Sequence, residues 1–285
     1  MTLTWGSLLD EVAVSLRAAG IEDATGDARR IVAEASGHGE AALLVHRDEQ
    51  PSIRAVAHVD DMVARRTMGE PLQYVVGRWG FRGLDLFVDR RVLIPRPETE
   101  QLVERALVEF DRIDARRVVD LGTGSGAIAL SIATERVTSE VWASDASADA
   151  LAVARANLAG IGRSGARVRL VEGSWFEALP DDLVGSVDLI VSNPPYVAND
   201  DPLDPVVADW EPIGALRAGP DGRRDLDVIV ADAPRWLTAG GVLAVELDPR
   251  QAEGVAEHMR SVGFSAIDVY RDLAGRERIV IGRND

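Results

Sequence analysis

VDLIVSNPPY, residues 187–196, is an apolar run that stops on an amide, two prolines and an aromatic ring. Val187, Leu189, Ile190 and Val191 read as a strand buried on both faces. A plain proline turn would be enough to end such a strand, but these residue types together do more. Asn193 carries one amide acceptor and two donors. Pro194 fixes φ, and Pro195 has no N–H with which to close an ordinary turn, so the Pro194 carbonyl is left to face a ligand. Tyr196 adds a flat face. Two acceptors for two hydrogens, with a ring to stack on their plane, make a clamp for a planar NH2 group.

Outward from this stretch, strands and helices alternate. RVVDLG, EVWASD, RVRLVEG, VDLIVSN and GVLAVEL are apolar runs separated by helical segments such as 127–135 and 148–159. That alternation predicts a doubly wound α/β fold, a mostly parallel sheet covered on both faces. FSAIDVYRDLAGRERIVIGR then adds an antiparallel hairpin turning at Ala274-Gly275, for seven strands in all.

Ligands of open α/β sheets bind beyond the carboxyl ends of the strands, so the NPPY stretch shares a rim with the loop after the first strand. That loop, DLGTGSGA at 120–127, opens a helix. Gly122, Gly124 and Gly126 allow a tight turn and close approach of a ligand, with Thr123 and Ser125 between them. Asp145 ends the next strand, 23 positions after Gly122, where a carboxylate can accept from ribose hydroxyls. Gly122, Gly124 and Ala127 also satisfy a dinucleotide fingerprint, so the loop alone does not choose between NAD and S-adenosylmethionine. The amino-group clamp favours the methyl donor.

The first seventy residues read as helices: Leu8, Leu9, Val12 and Leu16 have helical spacing, and segments 28–35, 40–45 and 53–66 continue it. Residues 72–95, rich in Val, Phe, Tyr and Trp with three glycines, read as a β-hairpin. The expected organisation is a small helical bundle at 1–70, a hairpin linker at 71–95 and a catalytic domain at 96–285.

The net charge is −16, with 31 basic residues, all arginine. A chain this acidic is a poor candidate for a nucleic-acid substrate, because phosphate binding draws on basic surface. With no cysteine, thiolate metal sites and disulfides are excluded. His38, His46, His58 and His258 are scattered without ligand-like spacing, and no metal is expected. The N-terminus lacks the basic start of a signal peptide and no run is long enough to span a membrane, so a cytoplasmic protein is expected.

LQYVVGRWGFRGLDLFV, VLIPRPETEQLVE, VVDLGTGSGAIAL, DLIVSNPPY, WEPIGAL and RDLAGRERIVIGR, in this order from about residue 71 to the C-terminus, resemble the glutamine methyltransferases of peptide chain release factors. The resemblance implies a Rossmann-like methyltransferase domain using S-adenosyl-L-methionine. The implied substrate is the glutamine in the Gly-Gly-Gln loop of class 1 release factors, which the N-terminal helices would dock. It assigns Gly122, Thr123, Gly124, Ser125 and Gly126 to the cofactor, Asp145 to its ribose and Trp175 to its adenine. Asn193, Pro194, Pro195 and Tyr196 would hold the glutamine, Asn193 also bordering the cofactor. The alternative for Trp175 is ordinary core packing, since Trp is a common core residue. The family's site also involves 96–100, though a helix start alone accounts for those residues here. Two departures stand out: Arg223 and Arg224 in GPDGRRDLD, and Asp248 where the family usually has glycine. The same clamp would serve methylation of a ribosomal protein glutamine or of the adenine amino group in DNA or RNA. An NAD-dependent oxidoreductase would leave NPPY unexplained, and a non-catalytic adaptor would have little use for an intact clamp. A monomer is expected.

Overall fold

The structure is a computed structural model that describes residues 3–284. The chain forms two compact units: residues up to Arg78 together with Pro205–Trp210, and Trp79–Asp204 together with Glu211 onward.

The first unit is helical. α1 (Trp5–Ala18) starts at a reciprocal cap, the Thr4 hydroxyl accepting from the Ser7 N–H while the Ser7 hydroxyl accepts from the Thr4 N–H. α2 (Ala24–Ser36) is capped by Asp23 and stopped by left-handed Gly37. α3 (Glu40–Leu43), α4 (Ile53–Thr67) and α5 (Leu72–Val76) follow, and α9 (Pro205–Trp210) joins from far along the chain. Leu16, Ile31, Val32, Val59 and Met62 are completely buried at its centre.

Residues 72–76 correct the expectation of a strand. Their aromatic and β-branched side chains favour a sheet, yet Arg65 of α4 donates to the carbonyls of Tyr74 and Val75, and Leu72 and Val75 are buried one turn apart. Tertiary contacts override a weak local preference. The hairpin is confined to β1 (Arg78–Phe81) and β2 (Leu84–Phe87).

The histidines also need correction. His38 and His46 stack with centroids 4.2 Å apart, and His46 Nδ1 lies 2.7 Å from Glu49. Parallel imidazoles direct their in-plane lone pairs side by side, not toward one point, so this trio is a stacked pair with a carboxylate partner.

In the second unit, seven strands among the described residues form one sheet in the order β5-β4-β3-β6-β7-β9-β8. β3 (Arg117–Leu121), β4 (Glu140–Asp145), β5 (Val168–Glu172), β6 (Val187–Ser192) and β7 (Leu237–Glu246) are parallel. β8 (Phe264–Arg271) and β9 (Glu277–Asn284) are the antiparallel hairpin, and β9 inserts between β7 and β8. Burial explains that order: Ile279, Val280 and Ile281 are buried consecutively, as an interior strand requires, whereas β8 has few buried residues and takes the edge. α6 (Pro97–Arg112), α7 (Ala127–Glu135) and α8 (Ala148–Gly160) cover one face, and α10 (Arg224–Trp236) and α11 (Ala252–Ser261) the other.

Register positions the site. Ser144, Leu121, Ser192 and Val245 are paired across β4, β3, β6 and β7. The next residue in each strand or its extension is therefore Asp145, Gly122, Asn193 and Glu246, a row along the carboxyl rim.

Candidate functional site: a cavity on the carboxyl rim

A cavity of about 480 Å³ opens on that rim, walled by the glycine loop, Asp145, Trp175, Thr99, Asn193 and Pro195, among others. One half is built by the glycine loop. Gly122, Gly124 and Gly126 all have positive φ, at 74°, 55° and 86°, a region that costs side chains dearly. The N–H groups of Gly122 and Thr123 both donate to the Ser144 carbonyl at 2.9 Å. Asp145 accepts from the Gly124 N–H through Oδ2 at 2.8 Å and from the Ser147 N–H through Oδ1 at 2.9 Å. The same carboxylate thus fixes the loop and lines the cavity.

Gly126 does not reach the cavity wall. Its φ of 86° and the Leu130 side chain, 3.0 Å from where a Cβ would sit, both favour glycine there. Ser125 lines the cavity, and its carbonyl accepts from buried Asn157, which also pairs with both backbone groups of Phe87 in β2. Trp175 is half-buried at φ 46° and its ring lies against Gly122, within 3.2 Å of where a Cβ would sit.

The other half is the end of β6. Asn193 and Pro195 line the cavity, while Pro194 is buried and Tyr196 stands outside the wall. The Tyr196 hydroxyl donates to Glu246 Oε1 at 3.5 Å, its carbonyl accepts from Gln251, and burial pushes its phenol well above the ordinary value. Asn193 Nδ2 donates to Thr99 Oγ1 at 3.0 Å, and Thr99 Oγ1 donates to Glu246 Oε2 at 2.8 Å. Arg96 lines the cavity and pairs with buried Glu211, which also accepts from the Ile94 N–H.

The departures noted in the sequence have structural partners. Asp248 is an ordinary extended residue at φ −70°, capping a short turn by accepting from the Arg250 N–H, so glycine is not required there. Arg223 pairs with Asp227 and Arg224 with Asp225; Arg224 and Asp225 reach the cavity wall.

The chain matches the PrmC N-terminal domain over residues 7–77 and the methyltransferase small domain over residues 99–209. A release factor glutamine methyltransferase of Xylella fastidiosa is 42% identical over 90% of this chain and 92% of its own length. That of Deinococcus radiodurans is 40% identical over 97% of each chain. The chain belongs to the release factor glutamine methyltransferase family.

Solved structures show the family's fold more distantly: the hMettl16 catalytic domain, in complex with an RNA hairpin, at TM-score 0.57 and 18% identity over 79% of this chain and 80% of that one. A Pyrococcus furiosus methyltransferase gives 0.50 and 18% over 77% and 96%. Among the described residues, no helix is long and apolar enough to cross a membrane.

Within this family member, sequence reading gave no role to Glu246, Asn157 or Asp120, and Thr99 entered it only within 96–100, where a helix start accounted for it. An acid ending an apolar run is a usable signal for both carboxylates: Asp120 lies within DLGTGSGA and Glu246 closes GVLAVE. Asp120 accepts from the Thr123 hydroxyl at 2.6 Å and the Ala129 N–H at 3.1 Å. Burial pushes both carboxyls up to about 7. The folded state therefore keeps protons that the unfolded chain has released, and their contribution to stability falls as pH climbs from the ordinary carboxylate range to about 7, then levels off. Calorimetry of the ligand-free protein should give a higher Tm near pH ~5.5 than near ~8, with the difference shrinking in the Asp120→Asn, Glu246→Gln double variant. A Tm that rises with pH across this window would contradict the assignment.

Proposed function

We propose that this chain transfers a methyl group from S-adenosyl-L-methionine to the side-chain amide nitrogen of the glutamine in the Gly-Gly-Gln loop of class 1 peptide chain release factors. One observation carries the reading: Asn193 sits on the cavity wall in the same rim row as Gly122 and Asp145, its Nδ2 already engaged by Thr99. The amide is left offering Oδ1 as an acceptor beside the glycine loop.

The wall suits the methyl donor. Gly122 and Gly124 bring backbone close without Cβ atoms, Asp145 retains lone pairs for ribose hydroxyls, and Trp175 offers a ring for the adenine. When bound, the cofactor supplies an electrophilic methyl group. The chain's own task is to present a weak nucleophile, an amide nitrogen whose lone pair is delocalised into its carbonyl. Holding the reacting groups in line is worth ~7–11 kcal/mol. Asn193 Oδ1 and the Pro194 carbonyl are the acceptors we assign to the two N–H groups, and their pull strengthens as positive charge grows on nitrogen. An N-protonated amide is a strong acid and loses its proton to water, so no base is required. Tyr196 anchors the end of the clamp on Glu246.

The net charge of −16 and the relatives' substrate favour a protein over a nucleic acid. The helical unit would hold the release factor, and the enzyme would meet it as a monomer in the cytoplasm. Mass spectrometry of a release factor incubated with the chain and S-adenosyl-L-methionine should show one added methyl on the Gly-Gly-Gln peptide. Methyl on a ribosomal protein or on adenine instead would overturn the reading.

Leu44, Val45 and Ile53 are 68%, 82% and 91% exposed on the helical unit. Replacing all three with serine should raise KM for whole release factor while leaving kcat unchanged, since remote contacts hold substrate and transition state alike. Steady-state assays with an unchanged KM would remove these side chains from docking.

A further inference from the structure

We propose that Glu246, acting through Thr99, sets the direction in which the Asn193 amide faces and is thereby a positioning residue for methyl transfer. The inference rests on the function proposed above and concerns how its clamp is oriented.

An asparagine amide can turn over and exchange its acceptor for its donors, with little change in shape. A clamp for an NH2 group works only one way round. In this structure the choice is made by hydrogen-bond polarity. Glu246 ends β7 and is almost completely buried. When ionised it is an acceptor only. The Thr99 hydroxyl owns a single proton and gives it to Glu246 Oε2 at 2.8 Å. Its oxygen can then only accept, and the Asn193 group that meets it at 3.0 Å has to be the NH2. Oδ1 is the end left for the substrate.

The same carboxylate receives the Tyr196 hydroxyl through Oε1 at 3.5 Å. Glu246 therefore binds both ends of the NPPY stretch, Asn193 indirectly and Tyr196 directly. The pairing of β6 with β7, Ser192 opposite Val245, puts Asn193 and Glu246 at the same level of the sheet.

Protonation would undo this polarity. A carboxylic acid at Glu246 can donate to Thr99, whose hydroxyl could then donate to Asn193 Oδ1 and hold the amide reversed. The charged and titratable groups around Glu246 are Arg278 from β9, Glu98 from α6 and Tyr196; Arg278 favours the carboxylate and Glu98 opposes it. Burial places the change near neutrality.

The test uses the full-length chain. Thr99→Val keeps the shape and removes the hydroxyl; it should lower kcat on release factor by ~10–150-fold, the equivalent of one orienting hydrogen bond to a charged partner. Affinity for S-adenosyl-L-methionine, by calorimetry, should stay within about threefold, and Thr99→Ser should restore most of kcat. Equal losses in the Val and Ser variants, or a parallel loss of cofactor affinity, would make Thr99 a packing residue and overturn the proposal. The second readout needs no substrate. The chain has four asparagines, so the Asn193 side-chain amide can be followed by NMR in 15N-asparagine-labelled protein. Its signals should move as pH crosses neutrality in the wild type and stay still in Glu246→Gln. A wild-type signal that does not respond would overturn the proposal whatever the substrate is. Failure of the wild type to methylate release factor, with this response intact, would instead count against the proposed substrate alone.

Discussion

Replacing Asn193 with alanine should cut methyl transfer by at least ~100-fold while S-adenosyl-L-methionine still binds. Only one acceptor would remain for the two N–H groups of the substrate amide, and the nitrogen would lose its alignment with the cavity. Thr99 would lose its Nδ2 donor but keep its bond to Glu246, so the buried end of the network survives. The glycine loop and Asp145 do not depend on Asn193 for any hydrogen bond. Single-turnover assays with radiolabelled donor would measure the loss. Turnover within tenfold of wild type would take Asn193 out of the mechanism.

Asp145→Ala should act on the other half of the cavity. Two effects add: the carboxylate is removed from the wall, and the N–H groups of Gly124 and Ser147 lose their acceptor. Cofactor affinity should fall by about 1.5–3 kcal/mol, roughly 10–150-fold in Kd, the range for hydrogen bonds to a charged group. Asp145→Asn, with one oxygen left, should fall between. With saturating cofactor, kcat should recover to within a few-fold of wild type, since the clamp is untouched. Calorimetry showing unchanged affinity in the alanine variant would refute this part of the site.

The sheet was legible because its strands are long apolar runs between glycine and proline breaks, and burial on both faces leaves little ambiguity. The place of β9 was less so. It required noticing that 279–281 are apolar without a break while β8 is interrupted by Ser265, Asp268 and Arg271, a difference of a few side chains. Residues 72–76 misled because their local preference is for a strand, and the arginine that overrides it, Arg65, lies in an earlier helix.

In the site, glycines and prolines were informative since they report backbone shape directly. Polar partners were not, because hydrogen bonds spanning 94 and 147 positions, Asn193 to Thr99 and Thr99 to Glu246, leave no local pattern. Gly126 differs from its neighbours in the loop: it lies off the cavity wall, at φ 86° with the Leu130 side chain packed beside it.

α9 has a consequence for anyone wishing to rebuild this molecule. The chain leaves the helical unit after Arg78, returns to it for Pro205–Trp210, and leaves again at Glu211, which is the residue that accepts from Ile94 and Arg96. A chimera that exchanged only the N-terminal stretch for that of another protein would keep a short helix built to fit the discarded one. Recombination at a single junction is therefore a poor route to new substrate preference in this architecture. Variation has to arrive in both segments together, one before the catalytic sheet and one within it.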